Sequence, residues 1–261
     1  GSTIVQNCNI YSNTCLQNGS QLQCGNGSPK ISNCIITATT SQQNVIEFRW
    51  GTLAEFENIL ILVENINNAQ EVVFYSWESS NPILNNVTII NKSSSSAGLV
   101  TIGAPSFFTI KNSVVYGYTL SEVTGVSATY SRFDNSVTGA GNIDTNPIFV
   151  DATNGDYRLS DYSPAIGAGT SDGAPTTDID GNPRPNPEGS SPDMGAYENA
   201  LGTPQHLYLY HVSVADSNAF GNGLPNAPFN TIQDGIDAAT DGDTVLVHAG
   251  TYVENINYNG K

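Results

Sequence analysis

Short bursts of alternating apolar and polar residues fill the first half of the chain, and none is long enough to make an amphipathic helix. Five of them share an asparagine: "IVQNCNI", "KISNCII", "EFENILI", "ILNNVTI" and "TIKNSVV". These asparagines, Asn7, Asn33, Asn58, Asn86 and Asn112, are almost evenly spaced along the chain. Their period, near 26, is too long for a hairpin repeat, longer than a leucine-rich repeat and shorter than a propeller blade. It suits one turn of a parallel β-solenoid, whose short strands cannot bury an apolar face alone and must stack to share a core. Equivalent residues then stand about 4.8 Å apart. The asparagines are therefore predicted to form an amide ladder, each side chain donating to the next.

Beyond about residue 134 the repeat fades. Residues 142–198 are dense in Pro, Gly and Asp and read as an irregular, turn-rich segment with one or two short strands, such as "IFVD" and "YRLS". The last stretch regains order. "HVSV" predicts a strand and "DSNAFGNGLPNAPF" a loop. Thr231 is placed to cap a short helix, with Asp234 in its first turn and Ile232, Ile236 and Ala239 on one apolar face. "DGD" then turns the chain, "TVLVHAG" predicts a buried strand, and "TYVENINYN" begins a rung.

The phrases "NPIFVDATNGDYRLSDYSPAIGAG", "DIDGNPRP" and "PDMGAYE" resemble the closing region of secreted right-handed parallel β-helix surface proteins, related in fold to pectate lyases. "YHVSVADSNAFGNGLPNAPFNTIQDGIDAATDGDTVLVHAGTYVENI" resembles the N-terminal cap of the same family. The resemblance implies an all-β, right-handed parallel β-helix with an irregular closing segment and a short capping helix near the C-terminus. The expected organisation is rungs with the asparagine ladder over 1–141, a turn-rich closing segment over 142–199 and a linker over 200–207. Residues 208–261 then form the opening cap and first rung of a following or partner β-helix. Arg184, in "DIDGNPRP", reads as part of the structural pattern.

Charge narrows the partners. Eight Lys and Arg stand against 24 Asp and Glu, a formal net charge of -16, which argues against nucleic acid and anionic membrane surfaces. No apolar run is long enough for a membrane span. The four cysteines, Cys8, Cys15, Cys24 and Cys34, cluster near the start of the chain and lack metal-site spacing. "CLQNGSQLQC", with Asn18-Gly19 at its tip, would bring Cys15 near Cys24, leaving Cys8 for Cys34. Two bridges would imply an oxidising, extracellular compartment, while stacked free thiols are the alternative.

Candidate chemistry is sparse. No Lys or Arg sits in a lyase motif, and the pairs Asp178/Asp180 and Glu55/Glu57 supply carboxylates at i and i+2 without other support for glycosidase chemistry. Trp50 and Trp77, about one rung apart, can offer two rings to a glycan. Trp50, however, shares strand parity with Ile46 and Phe48, which points it into the core. Tyr208, Tyr210, Tyr252 and Tyr258 fit either core or contact surface. Asp216, with Asn218 and Asn222, offers oxygen ligands for calcium; no other cofactor is indicated.

The function expected is a non-catalytic extracellular structural or adhesive module at the cell surface. Its partners would be tandem neighbours or other copies of itself. Ile4, Cys8 and Ile10 of one copy would meet Tyr252, Ile256 and Tyr258 of the next, head to tail, and build filaments. A glycan-binding module and a fragment of a polysaccharide lyase or glycoside hydrolase are the alternatives.

Overall fold

The computed structural model describes residues 3–11, 22–38, 44–64, 72–92, 98–118, 120, 125–216 and 221–260. It contains two compact units, 1–147 with 164–203, and 148–163 with 204–261. Residues 148–163, part of the segment expected to close the solenoid, thus belong with the C-terminal residues.

The first unit is a parallel β-solenoid of about three turns. One wall is an eight-stranded sheet. Its main path is β1 (Ile4–Gln6), β4 (Lys30–Ala38), β6 (Glu55–Val63), β8 (Ile83–Asn91), β10 (Phe108–Lys111) and β12 (Val126–Thr129). Two further strands join it, β2 (Asn9–Tyr11) beside β4 and β11 (Val114–Tyr116) beside β8. The second wall is a four-stranded sheet of β3 (Leu22–Gly25), β5 (Ile46–Arg49), β7 (Val72–Ser76) and β9 (Gly98–Ile102). The pairings within both walls are parallel and in register, as in Ile31↔Phe56↔Leu84 and Cys34↔Ile59↔Val87. Between the walls the fully buried rings of Phe48, Phe56, Phe74 and Phe108 pack with centroids 5.1 to 6.3 Å apart. Such ring pairs add to simple area burial.

Each repeated asparagine lies at a bend in the eight-stranded wall. Asn7, Asn33, Asn58, Asn86 and Asn112 all have φ between 49° and 55°, the left-handed region that asparagine tolerates better than most residues. Backbone geometry therefore selects the residue, and its amide is left to find partners. The expected ladder forms in two links, Asn58 Nδ2 to Asn33 Oδ1 at 3.1 Å and Asn112 Nδ2 to Asn86 Oδ1 at 3.4 Å. It does not run through. The Asn86 amide donates instead to the carbonyls of Asp193 and Gly195, at 3.1 and 3.3 Å.

That break exists because residues 164–203 lie along the asparagine strip. Thr170 donates to Asn112 Oδ1 and accepts from its Nδ2, while Asn58 Nδ2 donates to the Thr177 carbonyl. Arg184 Nη1 reaches Asn58 Oδ1 at 3.0 Å, and the Ala196 amide donates to Thr88 Oγ1. Behind the strip is a buried ionic knot. Arg184 Nε meets Glu198 Oε2 at 2.8 Å with both side chains out of solvent. Asp193 accepts from the amides of Gly167 and Asn199, and Asp178 from those of Asp180, Asn182 and Glu198. "DIDGNPRP" and "PDMGAYE" are thus the two halves of this knot. Asp178 is buried, and backbone amides bond to both its oxygens.

Among the described cysteines, Cys8, Cys24 and Cys34 are free thiols. Cys8 and Cys34 do stack in neighbouring rungs, but their Sγ atoms stand 3.3 Å apart with no bond, so the stacked-thiol alternative describes this pair. Burial pushes the Cys34 thiol up to about 11 and that of Cys24 to about 12. Cys15, and with it the proposed Cys15–Cys24 pairing, lies outside the described residues.

The second unit joins two small sheets. An antiparallel hairpin pairs β13 (Phe149–Asp151) with β14 (Asp156–Leu159), where Phe149 and Tyr157 meet edge to face. A parallel pair joins β15 (Leu209–Val212) to β16 (Thr244–Val247). The helix α1 (Ile232–Ala238) starts as expected, with Thr231 Oγ1 accepting from the Asp234 amide. Gly235 gives it close approach, for a Cβ there would stand 2.8 Å from Val245 and 2.9 Å from Val212. The Asn222 and Asn226 amides donate to the Phe149 and Val150 carbonyls of the hairpin.

Two expectations fail in this unit. The "TVLVHAG" strand is not buried, because Leu246 and Val247 are exposed in a sheet of only two strands. Residues 251–258 form no strand; there the Glu254 carboxylate instead accepts from the first amides of α1, at Ile232 and Gln233. A carboxylate at a helix N-terminus is favoured by the unpaired amides it meets.

Burial, with the Glu198 charge beside it, pushes the Asp193 carboxyl up to about 7. A group whose pKa is raised on folding binds more protons in the native state between its unfolded and folded values. Stability should therefore fall as pH rises from about 4 to about 7, at up to roughly 1 kcal/mol per pH unit. Burial raises Glu198 in the same direction. Urea midpoints measured across this range should decline in the native chain and flatten in Asp193→Asn. A profile that rises, or an Asn variant as steep as the parent, would contradict the assignment.

A candidate ligand surface on the four-stranded sheet

Alternation along β5 and β7 sends Phe48 and Phe74 inward and leaves Glu47, Arg49 and Tyr75 on the outer face, continued by Trp77. Register sets these residues in two columns. Gln23, Glu47, Tyr75 and Thr101 form one, at successive pairings. Gly25 opposite Arg49 begins the other, and one step beyond the Phe48↔Ser76↔Ile102 pairings it continues through Trp77 to Gly103.

The inward placement expected of Trp50 is overturned. Strand β5 ends at Arg49, and Trp50 has φ +54°, so the parity that runs through Ile46 and Phe48 stops one residue short. Trp50 is 53% exposed and Trp77 40%. They are not register equivalents, since Trp50 faces Glu78: its amide donates to Glu78 Oε2 at 3.1 Å and that of Gly51 to the Glu78 carbonyl. Each indole occupies space left by a glycine. A Cβ at Gly25 would lie 2.3 Å from Trp50 Cε3, and one at Gly103 only 1.6 Å from Trp77 Cε3. The rings are thus seated against neighbouring rungs although half in solvent.

Polar groups beside the rings are held in place. Tyr75 and Trp77 stack at 5.8 Å with planes 7° apart, and the Arg49 guanidinium lies over the Tyr75 ring at 4.9 Å. Glu47, buried under them, accepts from Gln23 Nε2 and Asn44 Nδ2, each at 3.1 Å, and pairs with Arg49 Nε at 3.5 Å. Flat aromatic faces framed by fixed amide, guanidinium and carboxylate groups can stack on and hydrogen-bond to a polyhydroxylated ligand. Tyr75, Arg49, Glu47 and Gln23 were missed in the sequence. The spacing of Gly25, Arg49, Trp77 and Gly103, close to one rung at each step, was the available signal.

The other candidates are dispersed. Ile4 is exposed while Cys8 and Ile10 are half-buried in the solenoid unit; in the second unit Ile256 and Tyr258 are exposed and Tyr252 is half-buried. Tyr208 is exposed and Tyr210 buried. Glu57 pairs with Lys30 at 2.7 Å. Asp216 accepts from Ser213 Oγ, Asn222 Oδ1 is taken by the Leu224 amide, and Asn218 lies outside the described residues. Among the described residues no group of three or more His, Cys, Asp or Glu could hold a metal ion.

No protein-family model, curated protein or solved structure matches the chain.

The glycine seats make a direct prediction. In a Trp50→Phe background, Gly103→Ala must displace the Trp77 ring. Its fluorescence should shift to the red with little change in melting temperature. Emission identical to that of the parent would show that the ring does not rest there.

Proposed function

We propose that this chain is a non-catalytic extracellular adhesive β-solenoid module that holds a polysaccharide on the outer face of its four-stranded sheet. The observation that carries the reading is the placement of Trp50 and Trp77, half exposed yet seated over glycines, beside the Tyr75–Arg49–Glu47–Gln23 cluster. A solvent-exposed indole that serves no core costs apolar hydration, and two such rings together mark a contact surface. The likeness of the closing and cap phrases to secreted β-helix surface proteins supports an extracellular setting. So does an acidic surface that relies on Asn, Ser, Thr and Gly for its polarity.

A panel of immobilised plant and microbial polysaccharides tests the reading. The native chain should bind at least one glycan without releasing sugar from it. Trp50→Ala with Trp77→Ala should weaken that binding by about tenfold or more. Failure to bind any glycan on the panel, or equal binding by the double variant, would refute it.

A further inference from the structure

Two more exposed apolar side chains stand on the corner between the walls of the solenoid, just beyond the tryptophans. Leu53 is 51% exposed and Phe107 62%. They are not strays from the core. Glu55, Ile83 and Thr109 are register partners on β6, β8 and β10, and Leu53, Asn81 and Phe107 each lie two positions ahead of them. Backbone bonds keep the corner in step, from Leu53 to Gly27, Asn81 to Thr52 and Phe107 to Ser80. Phe107 is fixed further by its amide bond to Asn81 Oδ1 at 3.0 Å. Trp50, Leu53, Trp77 and Phe107 therefore come from three successive turns, on the same corner and the sheet edge next to it. The apolar tract is elongated along the stack, not across one rung.

The ionic character of the tract says what fits it. Arg49 is paired with Glu47 and lies over Tyr75, and Glu78 accepts from the Trp50 amide. Among the described residues no unpaired cation faces the tract, and the chain as a whole is strongly negative. A polyanion would meet repulsion with nothing to offset it, while a neutral chain of sugars would meet rings, amides and fixed hydrogen-bonding groups. The rise of about 4.8 Å per rung is close to the advance of an extended glycan per sugar. Rings on successive turns can therefore meet successive residues of one chain.

We infer that the ligand is a neutral, extended oligosaccharide lying parallel to the solenoid axis, and that Leu53 and Phe107 are contact residues at its further subsites. The inference rests on the glycan reading above but is separable from it. Neutral β-1,4-linked gluco-, xylo- and manno-oligosaccharides, from disaccharide to hexasaccharide, and oligogalacturonides of the same lengths are titrated by calorimetry into the native chain. The same series goes into Leu53→Ala/Phe107→Ala, whose replaced side chains are too exposed to hold the fold. Affinity for a neutral series should climb up to about the tetrasaccharide. The double variant should lose about tenfold on the tetrasaccharide and little on the disaccharide. Tryptophan-dependent binding that is complete at the disaccharide, that ignores Leu53 and Phe107, or that prefers oligogalacturonides overturns this inference and leaves the glycan reading standing. Absence of binding to every series, together with a polysaccharide panel that is also negative, overturns both.

Discussion

An asparagine held in the left-handed backbone region leaves a primary amide with four hydrogen-bonding positions that must be satisfied wherever water cannot reach. Three such amides, at Asn58, Asn86 and Asn112, are fully buried. Their partners come only in part from one another. Asn33 and Asn85, in the same wall, accept from Asn58 and Asn112, and the remaining partners are Thr170, Thr177, Arg184, Asp193 and Gly195, on a segment far away in sequence. The bend that lets each rung turn thus also creates the strip onto which the 164–203 segment is hydrogen-bonded. Asn7, at the same bend but exposed, shows what the position looks like uncovered.

The ionic knot behind the strip follows from the same constraint. Arg184 can enter the interior to reach Asn58 only because Glu198 pairs with it, and Glu198 is held by the amides of Asn186 and Asp193. Removing one partner of such a pair leaves an uncompensated buried charge, which costs more than the intact pair contributes. The knot orders a Pro- and Gly-rich segment that has almost no regular secondary structure, and so substitutes polar geometry for the sheet hydrogen bonds the segment lacks.

The solenoid was readable in the sequence because its period is a property of the chain itself. An asparagine recurring at near-constant spacing, beside strand-length apolar bursts, leaves few alternatives. What the asparagines do with their amides was not readable, since the partners come from a distant segment without periodicity. Trp50 shows a different limit. Parity along "IEFRW" is informative only while the strand lasts, and one left-handed residue reverses the answer. Tyr75, Arg49 and Gln23 escaped notice because a contact surface on a solenoid is assembled across rungs, so no local motif encodes it. Leu246 and Val247 were misjudged for a related reason: strand pattern predicts an apolar face but not whether anything covers it.

The left-handed asparagines hold the 164–203 segment through their side chains, beyond their role in turning the chain. Glycine keeps a left-handed bend while deleting the amide, so native-state hydrogen exchange of Asn112→Gly separates the two roles. The Thr170, Gly195 and Ala196 amides, which bond to Asn112 Oδ1, the Asn112 carbonyl and Thr88 Oγ1, should lose protection together. Amides of β4 and β6 should stay protected, and Asn7→Gly should leave the segment unchanged. Unaltered protection of Thr170, Gly195 and Ala196 in Asn112→Gly would contradict it.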